Sequence, residues 1–347
     1  MSGALRLLVV GCGSIGRRHA VNAVKTAGIG PVAVCDQNAA LANEAAKMCD
    51  GQAFTDLDTA LKWGADAVIV AVPHSVHVSV AQAALSYGAA VMVEKPISDD
   101  PSAAANLVAV ADVLGLPLYA VCNMRFHAAV SSLKRHLSRV GKIHFARAHV
   151  GNYLPEMRPN ADYRELYCAN RDQGGGVVLD SIHEIDYLSW LLGPVIAVTA
   201  DSGNIGDLDI DVEDYAAMSM RHMGGARSEV HMDYLQRFKR RGCEIVGSQG
   251  TLLWESFGKR PEHCVVRLFD VESGSWETLL EDSDVDPNAA YERLLNNFVS
   301  ALNGGENDLH TGAEALHALK VACAVRSVSE SGQGRASIDF GKLSYGQ

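Results

Sequence analysis

Lys95 is placed to do acid–base chemistry. It follows the apolar run Ala90–Val93 and Glu94 and precedes Pro96, so it stands where a buried strand ends. Burial disfavours the charged amine, so a lysine in a partly dry crevice has its pKa lowered toward the range useful to a general acid or base. The competing reading is that Glu94-Lys95 is a solvated ion pair at a strand end. A second group, Gly11-Cys12-Gly13-Ser14-Ile15-Gly16, offers backbone N–H groups that can hold phosphates. A third is Asp180, His183 and Tyr187, spaced i, i+3 and i+7.

Glycine spacing alone also describes an ordinary turn, so its context decides. The apolar strand Leu5–Val10 leads into the loop, a helix opens from it, and a second strand, Val32–Cys35, ends at Asp36. Gly11 permits the tight turn, Gly13 lets backbone approach a pyrophosphate, and Gly16 allows helix and strand to pack closely. The helix start at Ser14 and Ile15 presents free N–H groups to the phosphates. Asp36, 20 residues past Gly16, can accept hydrogen bonds from ribose hydroxyls. This order of strand, loop, helix, strand and carboxylate points to a dinucleotide. The carboxylate would also repel a 2′-phosphate, and none of Gln37, Asn38, Ala39 and Ala40 supplies a compensating cation. NAD is therefore favoured over NADP.

The elements that must position these residues follow from hydropathy. At 347 residues the chain exceeds the usual size of one core, which favours two domains. Over residues 1–124, short apolar runs (Leu5–Val10, Val32–Cys35, Ala67–Val72, Ala90–Val93, Leu118–Cys122) alternate with helical stretches such as Ile15–Ala27, Val76–Tyr87 and Pro101–Leu114. Continuous apolar runs without polar alternation mark parallel strands buried on both faces, and the alternation with helices implies a doubly wound α/β Rossmann sheet. Residues 125–347 change character. A loop-rich stretch, Gly151–Gly176, leads to one expected helix, Val177–Leu192, then to alternating strands Asp214–Arg221, Arg227–Tyr234, Cys243–Val246, Thr251–Trp254 and Val265–Phe269. Two helices close the chain, about Pro287–Asn303 and Thr311–Ser331. This is an α+β domain with a mainly antiparallel sheet.

Bulk properties exclude several classes. The net charge of −11, with no extended basic patch, argues against nucleic-acid binding. The eight cysteines show no Cys-x-x-Cys spacing, which suggests a reducing compartment with neither a disulfide framework nor a metal site. No apolar stretch reaches the roughly 20 residues of a spanning helix, and Leu5–Val10 is too short for a signal core. A cytoplasmic location and no membrane partner are the expectations.

In the second domain, Val178, Ile182, Ile185 and Leu192 have core-like spacing, which leaves Asp180, His183 and Tyr187 on the opposite stripe. Such a stripe is equally a solvated polar face. The preceding loop carries Tyr153, Arg158, Tyr163, Arg164 and Arg171, a cationic and aromatic cluster able to bind an anionic or sugar substrate. Solvated surface arginines are the alternative, on equal terms.

Taken together the chain resembles the Gfo/Idh/MocA oxidoreductases over essentially its whole length. The matching pieces are Gly11-x-Gly13-x-x-Gly16, Pro73 and His77, Glu94-Lys95-Pro96, Asn123-x-Arg125-Phe126-His127, and Gly174-Gly175-Gly176 with Asp180, His183 and Asp186. The resemblance implies an open sheet in the second domain, an active site between the domains, and homodimers or homotetramers that pair through that sheet. It implies that Lys95 is catalytic, that His183 and Asp180 assist, and that Glu94, His77 and Asn123 line the nicotinamide side, with Val72, Pro73 and His74 also touching the cofactor. Arg125 joins Tyr153, Arg158 and Arg164 as a substrate candidate. The family usually places its aspartate four residues before the histidine, whereas Asp180 lies three before His183; one residue turns a helix by about 100°. Tyr153-Leu154-Pro155, Asp162-Tyr163-Arg164 and His231-Met232-Asp233-Tyr234 resemble a branch associated with bacterial surface-glycan sugars.

The reaction so implied is reversible oxidation of a secondary alcohol on a sugar, inositol or nucleotide-linked sugar, Lys95 taking the hydroxyl proton and His183 orienting or relaying it. Two rival readings share the fold: a glycosidase that recycles its NAD, and a non-catalytic NAD-sensing regulator. A cis Lys95–Pro96 bond is also expected.

Overall fold

The computed structural model describes residues 4–158, 161–259, 261–332 and 334–341. Two compact units divide the chain: Met1–Phe126 with Pro287–Leu316, and His127–Asp286 with His317–Gln347.

In the first unit, strands β1 (Leu5–Val10), β2 (Ile29–Cys35), β3 (Gln52–Phe54), β4 (Ala67–Val70), β5 (Ala90–Glu94) and β6 (Leu118–Val121) form one parallel sheet, ordered β3-β2-β1-β4-β5-β6. Helices α1 (Ser14–Ala23), α2 (Ala39–Met48), α3 (Leu57–Lys62), α4 (His77–Ser86) and α5 (Pro101–Leu114) connect them. Every residue of β4 and β5 is buried, as the unbroken apolar runs require of strands covered on both faces. Helix starts are written locally. Asn38, Asp56 and Asp100 accept backbone N–H bonds at the N-caps of α2, α3 and α5, satisfying donors that the first helical turn leaves unpaired. The chain runs β1 to β3 outward on one side, then β4 to β6 on the other. The strand order thus reverses between β1 and β4, the place where such sheets bind ligands.

The second unit begins with α6 (Ala128–His136) and β7 (Ile143–Tyr153), followed by short 3₁₀ turns, α7 (Val177–Asp180) and α8 (His183–Leu192). Strands β8 (Val195–Gly203), β9 (Tyr215–His222), β10 (Arg227–Asp233), β11 (Leu235–Gly247), β12 (Gly250–Phe257), β13 (His263–Asp270) and β14 (Ser275–Asp282) complete most of its sheet. The chain continues through α9 (Ala289–Leu302), β15 (His310–Thr311), α10 (Gly312–Ser331) and β16 (Ala336–Ser337). The second sheet is ordered β14-β13-β12-β11-β7-β10-β9-β8-β16, and only its β7–β10 pair is parallel. No described helix is long and apolar enough to cross a membrane.

Three features differ from the sequence reading. The expected single helix Val177–Leu192 is two helices, broken at Ser181-Ile182. The single cut near residue 124 is replaced by a return: α9 buries Ala290, Leu294, Leu295 and Phe298 in the same apolar cluster as Leu7, Val34 and Met92, and β15 pairs antiparallel with β6. An amphipathic helix joins whichever core its apolar stripe completes, and sequence distance does not restrict the choice. Third, β7 sits centrally in the second sheet, although Ile143–Tyr153 lies outside the strands expected from the sequence. Arg147, flanked by His144 and His149, hides its alternation.

Candidate functional site

Parallel strands end on one edge, so β1, β4, β5 and β6 bring Gly11, Val72, Lys95 and Asn123 to the same side of the first sheet. The glycine loop there is shaped by close approach. A Cβ on Gly11, whose φ is +97, would lie 2.4 Å from the Ala71 carbonyl oxygen, and one on Gly16 would lie 1.7 Å from the Gly11 oxygen. A Cβ on Gly13 meets nothing within 4 Å. Gly13 and Ser14 are exposed, Ile15 is half-buried, and no side chain caps the start of α1. Two glycines are thus required by the protein's own packing, while the third opens onto uncapped helix N–H groups, the arrangement a pyrophosphate needs. Asp36 accepts the Cys12 N–H at 2.8 Å with one oxygen and the Asn38 N–H at 2.8 Å with the other. Each oxygen keeps a lone pair for a ribose hydroxyl. These residues fit a dinucleotide.

Lys95 is half-buried, and the Lys95–Pro96 bond is cis as expected. Its backbone N–H donates to Glu94 Oε2 at 3.2 Å, while Glu94 Oε1 meets His19 Nε2 at 2.8 Å. His19 is fully buried on α1, and the Tyr291 ring lies edge-on to it at 5.6 Å. Burial first, then the Glu94 charge, push the Tyr291 hydroxyl up to about 12, with Arg18 and Lys95 opposing. His19 belongs to none of the sequence motifs; its signal is its place one turn past Gly16, on the buried side of α1.

Several expected contacts are corrected. His77 is fully buried, with Nδ1 2.9 Å from the Pro96 carbonyl oxygen and Nε2 2.8 Å from that of Val72. Burial holds its pKa below the usual histidine value, against the pull of those two carbonyls, Glu94 and Asp99. Both nitrogens face backbone carbonyl oxygens and the ring is fully buried, so it offers no surface to a nicotinamide. Glu94 likewise turns its carboxylate toward His19 and the backbone. Arg125, expected at the substrate, is 2% exposed and sits 3.4 Å from Glu314, with the Leu309 carbonyl accepting at 3.2 Å. Val72 and His74 are half-buried and Pro73 exposed, so these three remain accessible, as does half-buried Asn123.

In the second unit the helix break changes the geometry of Asp180 and His183. Asp180 ends α7 and His183 begins α8, so the 100° rotation argument, which needs a continuous helix, does not apply to them. Asp180 accepts from the Tyr167 hydroxyl at 2.5 Å, a partner the sequence did not disclose. His183 is 8% exposed. Tyr187 is fully buried, not on a solvated stripe, and burial raises its pKa well above the usual value. Beside it, Glu184 receives a two-pronged bond from Arg241 at 2.6 and 3.1 Å.

The triple glycine has a visible cause. Gly176, with φ +108, faces the Glu213 carboxylate so closely that a Cβ would lie 2.2 Å from Oε1. Glu213 also accepts the Val177 N–H through its own carbonyl at 3.0 Å, and its carboxylate meets Arg326 at 3.1 Å. Arg326 in turn donates to the Gly175 carbonyl at 3.1 Å. Burial raises the Glu213 pKa, with Arg326 opposing.

The loop cluster is more committed than expected. Arg164 is bound to Asp162 at 2.6 Å and lies 3.6 Å from Asp209, and its hydrogen bonds hold the Asp162 carboxyl down to about 2. Tyr153 is covered by the Arg237 guanidinium, 3.6 Å from its ring centre. Arg171 lies against Asp211 and Glu330. Arg158 is exposed.

Comparison with known proteins agrees with this organisation. Residues 5–121 match a family described as "Oxidoreductase family, NAD-binding Rossmann fold", and residues 136–253 match the "GFO/IDH/MocA C-terminal domain". The 1,5-anhydro-D-fructose reductase of Ensifer adhaerens is 29% identical over 281 residues, 80% of each chain. An inositol 2-dehydrogenase of Corynebacterium glutamicum (strain R) is 31% identical over 201 residues, 56% of each chain. A levoglucosan dehydrogenase solved with NADH shares the fold, with a TM-score of 0.85 at 18% identity over 97% of this chain and 99% of that one. With both family domains matched in their order along the sequence, the chain belongs to the Gfo/Idh/MocA oxidoreductase family.

Proposed function

We propose that this enzyme oxidises, reversibly, a secondary hydroxyl of a sugar, an inositol or a nucleotide-linked sugar, using NAD. The observation that carries the reading is the shared edge of the first sheet, where β5 delivers Lys95 beside the strand ends that bear the glycine loop and Val72. Gly13, the start of α1 and Asp36 would hold the dinucleotide. Bound there, NAD supplies the acceptor or donor of hydride. Lys95 removes the hydroxyl proton as the alcohol is oxidised and returns it in the reverse direction. His183 shares the handling of that proton, and Asp180 is held for its part by Tyr167. The names of the anhydrofructose reductase and the inositol dehydrogenase support a polyhydroxylated substrate. Asp36 supports NAD over NADP, since its charge opposes a 2′-phosphate and its oxygens are fixed by Cys12 and Asn38.

The test is single-turnover NADH formation at 340 nm across myo-inositol, hexoses, uronates and nucleotide sugars, with NAD and NADP compared. Lys95→Ala should bind NAD nearly as the wild type does and lose roughly 10² to 10⁴ in kcat, the worth of a positioned proton-transfer group. Near-wild-type turnover in that variant would overturn the mechanism, and equal use of NADP would overturn the cofactor assignment.

A further inference from the structure

Lys95 has its backbone held on both sides by buried side chains. On the amino side its N–H donates to Glu94, which is itself held by His19. On the carboxyl side the Pro96 carbonyl meets His77 Nδ1 at 2.9 Å. His77 lies at the start of α4, and its other nitrogen is 2.8 Å from the Val72 carbonyl; the neutral ring carries one N–H, and the tautomer bearing it on Nδ1 donates to Pro96. The residues that follow, Ile97 and Ser98, are 1% and 2% exposed, so the turn cannot relax outward without leaving its packing. Proline lacks an N–H, which leaves its carbonyl as the only backbone polar group through which Pro96 can be fixed. A fully buried ring with both nitrogens on backbone oxygens does not touch substrate or cofactor. It can act on the reaction only through the position of what it holds.

We propose that His77 is a positioning residue for Lys95, acting through the Pro96 carbonyl, while its Val72 contact serves the neighbouring loop. This rests on the reading that Lys95 handles the proton. A displacement of about 1 Å at a reacting group can cost two orders of magnitude in rate, so a lost clamp should appear in kcat and leave substrate KM nearly unmoved.

The two nitrogens can be separated by substitution. An asparagine amide reaches the place of Nδ1, and a glutamine amide that of Nε2. His77→Asn therefore keeps a donor at Pro96, while His77→Gln places its donor at Val72 and His77→Ala has neither. The three variants and Lys95→Ala would be compared for kcat and KM on the best substrate of the screen. In parallel, acetylation of Lys95 by an N-hydroxysuccinimide ester, followed by peptide mass spectrometry, reads the lysine's setting without turnover. The expected result is that His77→Asn stays within about threefold of wild type in kcat, while His77→Gln and His77→Ala fall roughly 10- to 100-fold. The Lys95 acetylation rate should change in the same order. Equal kcat and equal labelling in all three His77 variants would overturn the clamp. Its reverse order, with Gln the better substitute, would overturn the assignment to Pro96. If Lys95→Ala keeps turnover while the labelling order holds, the catalytic reading falls and the clamp stands.

Discussion

In the first unit, the residues expected to meet the cofactor are held by backbone: a loop of glycines, an uncapped helix start and strand ends on one sheet edge. In the second, buried or half-buried acidic side chains are held by side chains from other elements. Glu184 on α8 is bound by Arg241 on β11, Glu213 before β9 by Arg326 on α10, and Asp180 by Tyr167. Backbone cradles tolerate side-chain change at their rims and fail where a Cβ collides. Buried charge pairs fail as wholes, because loss of one member leaves the other ionised out of water. The first unit should therefore separate binding from stability under mutation, and the second should not.

The largest expected effect tests the second statement. Glu184→Ala removes the carboxylate from a pair in which Glu184 is fully buried and the Arg241 side chain only 15% exposed. Breaking such a pair typically costs about 3–5 kcal/mol, since the remaining charge is uncompensated. Urea unfolding followed by circular dichroism measures it. A loss under 1 kcal/mol, with activity retained, would show that the pair does not support α8.

The contrast in support also sets how much could be read in advance. The close-packed glycines Gly11 and Gly16 and the cis Lys95-Pro96 turn are legible because each is a short run whose spacing carries its own geometry. So are the parallel strands, whose apolar runs have no other explanation. The break between Asp180 and His183 was not legible, because Val177–Leu192 keeps helical periodicity straight through Ser181-Ile182. The family resemblance implies ligand contacts for His77 and Arg125; the structure sets them against backbone or a residue distant in sequence, and no local pattern announces that. Tyr167, Glu213 and Arg326 went unread for the same reason. The assignment of α9 failed because an apolar stripe shows that a helix is covered but not by which core.

A second test uses pH. His222 on β9 is fully buried, with its nitrogens 2.7 Å from the Gly193 carbonyl and 2.8 Å from the Ser228 hydroxyl. Burial lowers its pKa from 6.5 to about 4, helped by Arg227 and opposed by Gly193. The folded value lies below the unfolded one, so acid binds the unfolded chain first. The stabilisation is complete above pH 6.5 and is lost as pH falls toward 4, by roughly 3 kcal/mol in total. The difference in unfolding free energy between wild type and His222→Asn should shrink over that window. Parallel curves would show that the ring is not held neutral.

The smallest effect belongs to the first unit and is the sharpest test of the contrast. Gly13→Ala adds a methyl group that meets nothing within 4 Å of the protein. The exposed loop should keep its conformation, and Tm should stay within about 1 °C, because surface changes away from packed features rarely exceed 0.5 kcal/mol. The added carbon would instead occupy the approach of the pyrophosphate, so calorimetric NAD affinity should fall at least about tenfold, near 1.4 kcal/mol. Gly16→Ala is the control in the same loop. Its Cβ would lie 1.7 Å from the Gly11 carbonyl oxygen, so helix and loop must move apart and Tm must fall with affinity. If both variants lose affinity and stability together, the loop is coupled to the core as tightly as α8 is to β11, and the contrast between the units fails. If Gly13→Ala keeps wild-type affinity, the dinucleotide does not lie on this loop.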